Sequence, residues 1–178
     1  NQLLGTPDFG VIGAVLLRRL RALQPHGLHP LHAHIALDLL LATCTFLHPA
    51  GLQAWTRALF NSWNTSSRFG AEVRRCPFCN LRKSDSLRHF SECRTLKFYC
   101  GELFPGLTSL GYSMNSFGDF LGLSPSFPPS PHFGSLVAVW LDAIHYTVLA
   151  AGKGKASVYP ARTMMARAKL FILKFAKT

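Results

Sequence analysis

Cys76-Pro77-Phe78-Cys79 is followed by His89 and then Cys93, so four metal-ligand side chains fall in the pattern C-x2-C-x9-H-x3-C. Thiolates and imidazoles are the donors that a tetrahedral zinc ion takes. The first pair lies on a tight knuckle that contains Pro77. The second pair is separated by one helical turn, which predicts that His89 and Cys93 leave the same face of one helix. One pair from a turn and one from a helix face is the arrangement such an ion needs. Four protein ligands close the coordination sphere and leave no position for water, so the zinc expected here is structural, with its binding coupled to folding. Three of the five cysteines fall in this motif, which argues against a secreted disulfide scaffold and for a reducing compartment inside the cell.

Little else in the chain is equipped for chemistry. The carboxylates are Asp8, Asp38, Asp85, Asp119, Asp142, Glu72, Glu92 and Glu102. No two aspartates are adjacent, as two polymerase metals would require, and Glu102, Asp119 and Asp142 stand isolated rather than as a nuclease cluster. Gly152-Lys153-Gly154-Lys155 lacks the preceding glycine and the following Ser or Thr of a phosphate-binding loop. No nucleophile motif supports Ser-His-Asp catalysis, and the expectation is that the chain is not an enzyme. His26, His29, His32 and His34 are interrupted by Pro30 and follow Pro25, so they read as a polar loop with solvated or RNA-facing imidazoles rather than a second metal site. Cys44 reads as a small core residue. Phe78, at the tip of the knuckle, reads as packed, with a stacking platform as the other use.

Charge points to the partner. The chain has 178 residues, enough to bury a core, and is 48% hydrophobic and 15% charged, with a formal net charge of +11, a pI near 10.0 and a mean hydropathy of +0.18. So apolar a composition implies a covered surface, and so basic a one implies a polyanion. Together they favour a piece of a larger protein or ribonucleoprotein assembly over a free-standing enzyme. Residues 71–100 carry seven bases against three acids, residues 101–150 no base and three acids, and residues 151–178 seven bases and no acid. The candidates for contacts to an RNA (or DNA) backbone are therefore Arg68, Arg74, Arg75, Arg82, Lys83 and Arg88 around the knuckle, with Arg94 and Lys97 beside them. Lys153, Lys155, Arg162, Arg167 and Lys169 of the tail complete the set. Nothing indicates sequence-specific base reading. A membrane surface is the weaker reading of the basic tail, and no stretch reads as a transmembrane helix, because the apolar runs contain His34 and Asp38, and Asp142 and His145. The chain opens on Asn1 rather than Met, which allows for a targeting segment ahead of it.

These residues need elements to hold them. Periodicity predicts helices over Val11–Gln24, Leu31–Leu47 and Ala50–Trp63, the last amphipathic through Leu52, Trp55, Leu59 and Trp63. Ser84 or Asp85 is expected to cap the helix that carries His89 and Cys93 and runs on to about Cys100. Residues 101–111 read as loop, Asn115–Leu121 as a short helix, and Ser124–Pro131 as a polyproline-prone linker. Ser135–Ala151 reads as a buried helix. Pro160 opens a last one, with Met164, Met165, Ala168, Phe171, Ile172 and Phe175 on one face. The fold class expected is mostly α, a helical domain with a small CCHC zinc-stapled knuckle-helix element and a C-terminal helical pair. Along the chain this divides into an N-terminal helical region (1–70), the zinc element (71–100), a loop-rich linker (101–133) and the C-terminal helices with their basic tail (134–178).

The run Trp63-Asn-Thr-Ser-Ser-Arg68-Phe69, then Arg75-Cys76-Pro-Phe-Cys79, then Asp85-Ser86-Leu87-Arg88-His89-Phe90 and Cys93 resembles the zinc-binding region downstream of the reverse-transcriptase domain in non-LTR retrotransposon polyproteins. The resemblance covers about Trp55 to Tyr99. It implies Cys76, Cys79, His89 and Cys93 as ligands and an element that binds RNA and DNA during target-primed reverse transcription. Three residues separate His89 from Cys93 where many members have four, so either Cys93 or the nearby Cys100 can complete the site. The polymerase carboxylates are missing, which makes the chain a fragment or a domesticated remnant. Two functional classes follow. One is a non-catalytic, zinc-stabilised nucleic-acid-binding module of a retroelement, with the nucleus as its place. The other is a structural subunit recruited into a large ribonucleoprotein such as an organellar ribosome, with the matrix of an organelle (a mitochondrion) as its place.

Overall fold

The computed structural model describes residues 9–23, 30–44, 49–63, 65, 75–81, 86–124, 126–127, 130–152 and 160–175. Among them are nine helices and no strand: α1 (Phe9–Leu23), α2 (Pro30–Thr43), α3 (Pro49–Leu59), α4 (Leu87–Glu92), α5 (Arg94–Leu103), α6 (Pro105–Ser109), α7 (Phe117–Phe120), α8 (Pro131–Gly152) and α9 (Pro160–Phe175). The fold is mostly α, as the helical periodicity predicts. Proline opens five of these helices, where its missing N–H would have had no helical partner and its fixed φ suits the first turn.

The core forms around α8, which packs on α2, α3 and α9. Trp55, Trp63 and Trp140 are all fully buried there, and two of them anchor backbone at a distance. Trp55 Nε1 donates to the Leu121 carbonyl at 3.1 Å, and Trp63 Nε1 donates to that of Ala54 at 3.0 Å. Burying an indole this way satisfies its one donor while removing its large apolar body from water. By length and composition α8 is able to cross a membrane, yet 72% of its most apolar window is buried by the rest of the fold.

Several elements differ from the sequence expectation for local reasons. Helix α3 stops at Leu59 rather than at Trp63, because Asn61 takes a left-handed φ of 50° and the chain turns back. The Ser62 N–H reaches the Arg57 carbonyl and the Asn61 N–H that of Ala58, a Schellman ending that releases Trp63 to enter the core from outside the helix. His32 and His34 lie on α2 and not in a loop, while His26 and His29 are outside the described residues. Cys44 is exposed at the end of α2, at the edge of an open cleft beside Leu52 and Arg57, and is no part of the core.

The described residues of 101–133 pack into the core, and the loop-rich linker expected there carries helices of its own. Helices α6 and α7 lie within it, the latter held by a capping box in which Ser116 and Asp119 bond each other's backbone N–H. Tyr112 stacks on Phe127 and Phe127 on Phe133, with ring centroids 5.6 and 5.2 Å apart, and the buried Tyr112 hydroxyl donates to the Phe120 carbonyl at 2.8 Å. Gly122 ends α7 with a φ of 74°, and a Cβ there would sit 2.9 Å from Val137 Cγ2, so a side chain is disfavoured by both conformation and space. Buried side chains from Leu16 to Ala168 join one hydrophobic cluster, which includes Phe104, Leu107, Phe117, Phe120 and Phe127.

Candidate metal centre

The knuckle is closed by its own backbone. The Asn80 N–H donates to the Cys76 carbonyl at 2.9 Å, the Cys76 N–H donates to that of Leu81 at 3.2 Å, and Asn80 accepts the left-handed φ of 56° that this turn requires. Asparagine is one of the few side-chain-bearing residues that tolerates that region. Phe78 is buried with its ring edge-on to Phe90, centroids 5.8 Å apart, so the knuckle tip is a packing residue and no stacking platform.

Opposite the knuckle, α4 takes its cap one or two residues beyond the expected Ser84 or Asp85. Ser86 is its N-cap and its Oγ accepts from the His89 N–H at 3.1 Å, while Ser84 and Asp85 lie outside the described residues. The cap therefore holds the backbone of the ligand histidine itself. Phe90 next to it is fully buried against Trp63 and Phe78. The ligand pair does not share one unbroken helix, which corrects the sequence reading. Helix α4 ends at Glu92, Cys93 is extended at φ −69° and ψ 112°, and α5 begins at Arg94. Cys93 thus serves as C-cap of one helix and N-cap of the next, and it presents its thiol from the bend between them.

The four ligand atoms of Cys76, Cys79, His89 and Cys93 lie within 4.8 Å of one another. Cys79 Sγ and His89 Nε2 are 3.4 Å apart. Cys76, Cys93 and His89 are buried and Cys79 half-buried, and every cysteine of the chain is free. Cys100 stays out of the group. It packs in the apolar core, where burial pushes its thiol up to about 12. The fourth donor is accordingly Cys93. Three sulfurs and one imidazole, convergent and mostly shielded from water, are able to hold a metal ion.

Cys76 and Cys93 share a proton and titrate as a pair. The Cys93 thiol is brought down, first by the hydrogen bond from Cys76 and further by the Leu96 N–H, Cys79 and His89, against the opposing effect of burial. Cys76 is pushed up correspondingly, by that same shared proton and by burial. A thiol whose proton is already shared with a neighbour gives it up more readily to a metal ion.

The bases proposed for a nucleic acid separate into three groups. Arg75, Arg88, Arg162 and Lys169 are exposed, as are Arg94 and Lys97. Arg88 lies 3.6 Å from Glu92 one turn on, a solvated pair of little strength. Arg68, Arg74, Arg82, Lys83, Lys153 and Lys155 lie outside the described residues. Arg167 is engaged inside the fold, with Nε 2.6 Å from Asp142 Oδ2 and its guanidinium 4.9 Å from the Tyr146 ring centroid, so it is corrected to a structural residue. Of the face expected on α9, the side chains of Phe171, Ile172 and Phe175 lie outside those described. Met164 and Ala168 are buried but Met165 is 40% exposed. The sequence reading passed over Phe98, 63% exposed on α5, although its spacing of four from Arg94 marks both as one helix face.

No family model, curated protein or solved structure matches the chain.

Proposed function

We propose that this chain is a non-catalytic nucleic-acid-binding module, RNA-favoured, whose Cys76, Cys79, His89 and Cys93 hold one structural zinc ion. The convergence of those four ligand atoms within 4.8 Å carries the reading. Zinc bonds sulfur at about 2.3 Å and nitrogen at about 2.0 Å, which sets tetrahedral edges of roughly 3.5 to 3.8 Å. The 3.4 Å between Cys79 and His89 is close to such an edge. A borderline-soft ion without redox chemistry suits three thiolates and an imidazole, and the closed set gives it a structural role.

The net charge of +11 and the exposed Arg75, Arg88, Arg94 and Lys97 around the cluster support a phosphate backbone as the partner. The knuckle-to-helix run that resembles the zinc region of non-LTR retrotransposon polyproteins supports descent from a retroelement reverse transcriptase. The thiolate site supports a reducing compartment. A membrane is the less suitable partner, because Met164 and Ala168 of α9 turn into the core rather than outward.

A second reading, a structural subunit of a large ribonucleoprotein, draws on the exposed apolar side chains Val11 and Leu41, 59% and 52% accessible, which an assembly would cover.

Elemental analysis of the purified chain, followed by binding to labelled RNA across a salt series, tests the module. One zinc per chain, with an affinity that falls steeply as salt rises, is the expected result. A chain without zinc, or an affinity indifferent to salt, overturns it. Recovery only with a large RNA particle moves the assignment to the second reading.

A further inference from the structure

Helix α5 leaves the metal centre at Cys93 and carries its solvent side as a stripe: Arg94, Lys97, Phe98, Gly101 and Glu102 are all exposed, while Leu96 and Cys100 face the core. Three features of this stripe work against the helix itself. Its first turn holds Arg94 and Lys97 and no acid, the reverse of what the positive end of a helix dipole favours. Phe98 exposes 63% of its surface, although burying a phenyl ring is among the most favourable things a fold does. Gly101 sits inside the helix, where glycine is less favourable than alanine. Its surroundings do not require glycine, since no atom lies within 4 Å of the Cβ it lacks and its φ is not left-handed.

One ligand accounts for all three. Gly101 is one turn beyond Phe98, so its missing side chain leaves bare helix next to the ring, room for a flat group to lie against one face. Arg94 stands one turn before Phe98, and Lys97 one turn before Gly101 on the same helix face. Lys97 also borders a notch of about 100 Å³ lined by Arg88, Ser91, Glu92, Asn115, Ser116 and Phe117, in which Glu92 stands 3.6 Å from Arg88 and is the one carboxylate a phosphate would have to displace. A flat apolar group with anions to one side is an unstacked nucleobase on its backbone. We infer that the outer face of α5 is a docking surface for single-stranded RNA, with a base stacked on Phe98 over Gly101 and phosphates on Lys97, Arg94 and Arg88. The inference rests on the nucleic-acid reading above and deepens it from backbone tracking to single-strand selection. Glu102 ends the surface and directs the strand toward the basic end of the helix.

The test uses the full zinc-loaded chain, a labelled single-stranded RNA of about a dozen nucleotides and the same sequence as a duplex. Phe98→Ala should weaken single-strand binding about tenfold, as loss of one stacked base does, and leave duplex binding and the salt slope unchanged. Phe98→Tyr should bind as the parent. Gly101→Gln should stabilise the helix and raise Tm yet weaken the single strand, because its side chain occupies the stacking space. Lys97→Gln should reduce the salt slope by about 0.7. If Phe98→Ala and Gly101→Gln bind the single strand as the parent does, while Lys97→Gln weakens it, the stacking surface is refuted and backbone binding stands. Equal losses on strand and duplex also refute stacking. If the parent binds neither form, both readings fall. If Phe98→Ala instead releases a bound protein with RNA affinity intact, the surface is a protein interface and the inference is wrong.

Discussion

Arg167 meets Asp142 at two points, Nε to Oδ2 at 2.6 Å and Nη2 to Oδ1 at 3.3 Å, and so clasps α9 to α8. The carboxylate side chain is 6% exposed and the guanidinium 24%, and Tyr146 on α8 lies beneath the latter. Asp142 lies in the segment 101–150, which has three acids and no base; its partner comes from the tail, where seven bases stand without an acid. One of those bases is thereby consumed in holding the tail helix down.

Removing one partner of such a pair should hurt more than removing both. Asp142→Ala is expected to cost about 3 kcal/mol in a denaturant titration, whereas the double change Asp142→Leu, Arg167→Met should be near neutral. Equal losses in the two would show that packing and not charge carries the contact. RNA affinity should not change in the double variant, since Arg167 is not presented to a ligand.

His145 makes the fold sensitive to acid. It is buried with its ring 5.0 Å from that of Trp63, and burial lowers its pKa to about 4, with Arg57 and Arg167 pressing the same way and Asp142 opposing. The unfolded chain takes up this proton near pH 6.5 and the folded one only near pH 4, so the unfolded state binds more protons between the two. Stability is therefore constant above that window and falls as pH drops through it, by up to about 3 kcal/mol. His145→Gln should flatten the decline in melting temperature between pH 6.5 and 4. A decline just as steep in the variant assigns it to other groups.

The cluster should bind one zinc per chain through Cys93 and not Cys100. Cys93→Ser is expected to lose the metal, and Cys100→Ser to keep it, by elemental analysis. The double change Cys76→Ser, Cys79→Ser should also lower Tm by on the order of 10 °C or more, because the ion's binding energy is folding energy. Unaltered folding in that variant would count against a structural ion.

Gly134 sits where α8 crosses α2. A Cβ there would run into Thr43 Cγ2 and stand 3.5 Å from Trp55 Cη2, and Thr43 is pinned by its hydroxyl bond to the Leu39 carbonyl. Gly134→Ala should cost about 1 to 3 kcal/mol through overpacking. Thr43→Ser, which keeps the hydroxyl and removes the methyl, should recover most of it. Thermal melts of the single and double variants decide the point.

The legible part of this protein was whatever short-range pattern controls. Four metal donors at C-x2-C-x9-H-x3-C, helical periodicity around Trp55 and Trp140, and Pro160 at a helix start are properties of neighbouring residues, and each carries through to the structure. Spacing also named Cys93 but left Cys100 as its rival. Tertiary structure decided between them, because Cys100 faces the apolar core while the chain bends at Cys93. The same holds for the charges. Composition counts Arg167 with the other bases of the tail, and only the packing of α9 on α8 brings Asp142 within reach of it. Phe78 and Phe98 are alike as letters, yet one lies against Phe90 and the other points into water. Periodicity determines which side chains can share a face. Which faces are covered depends on residues distant in sequence, and that was settled only when the helices packed.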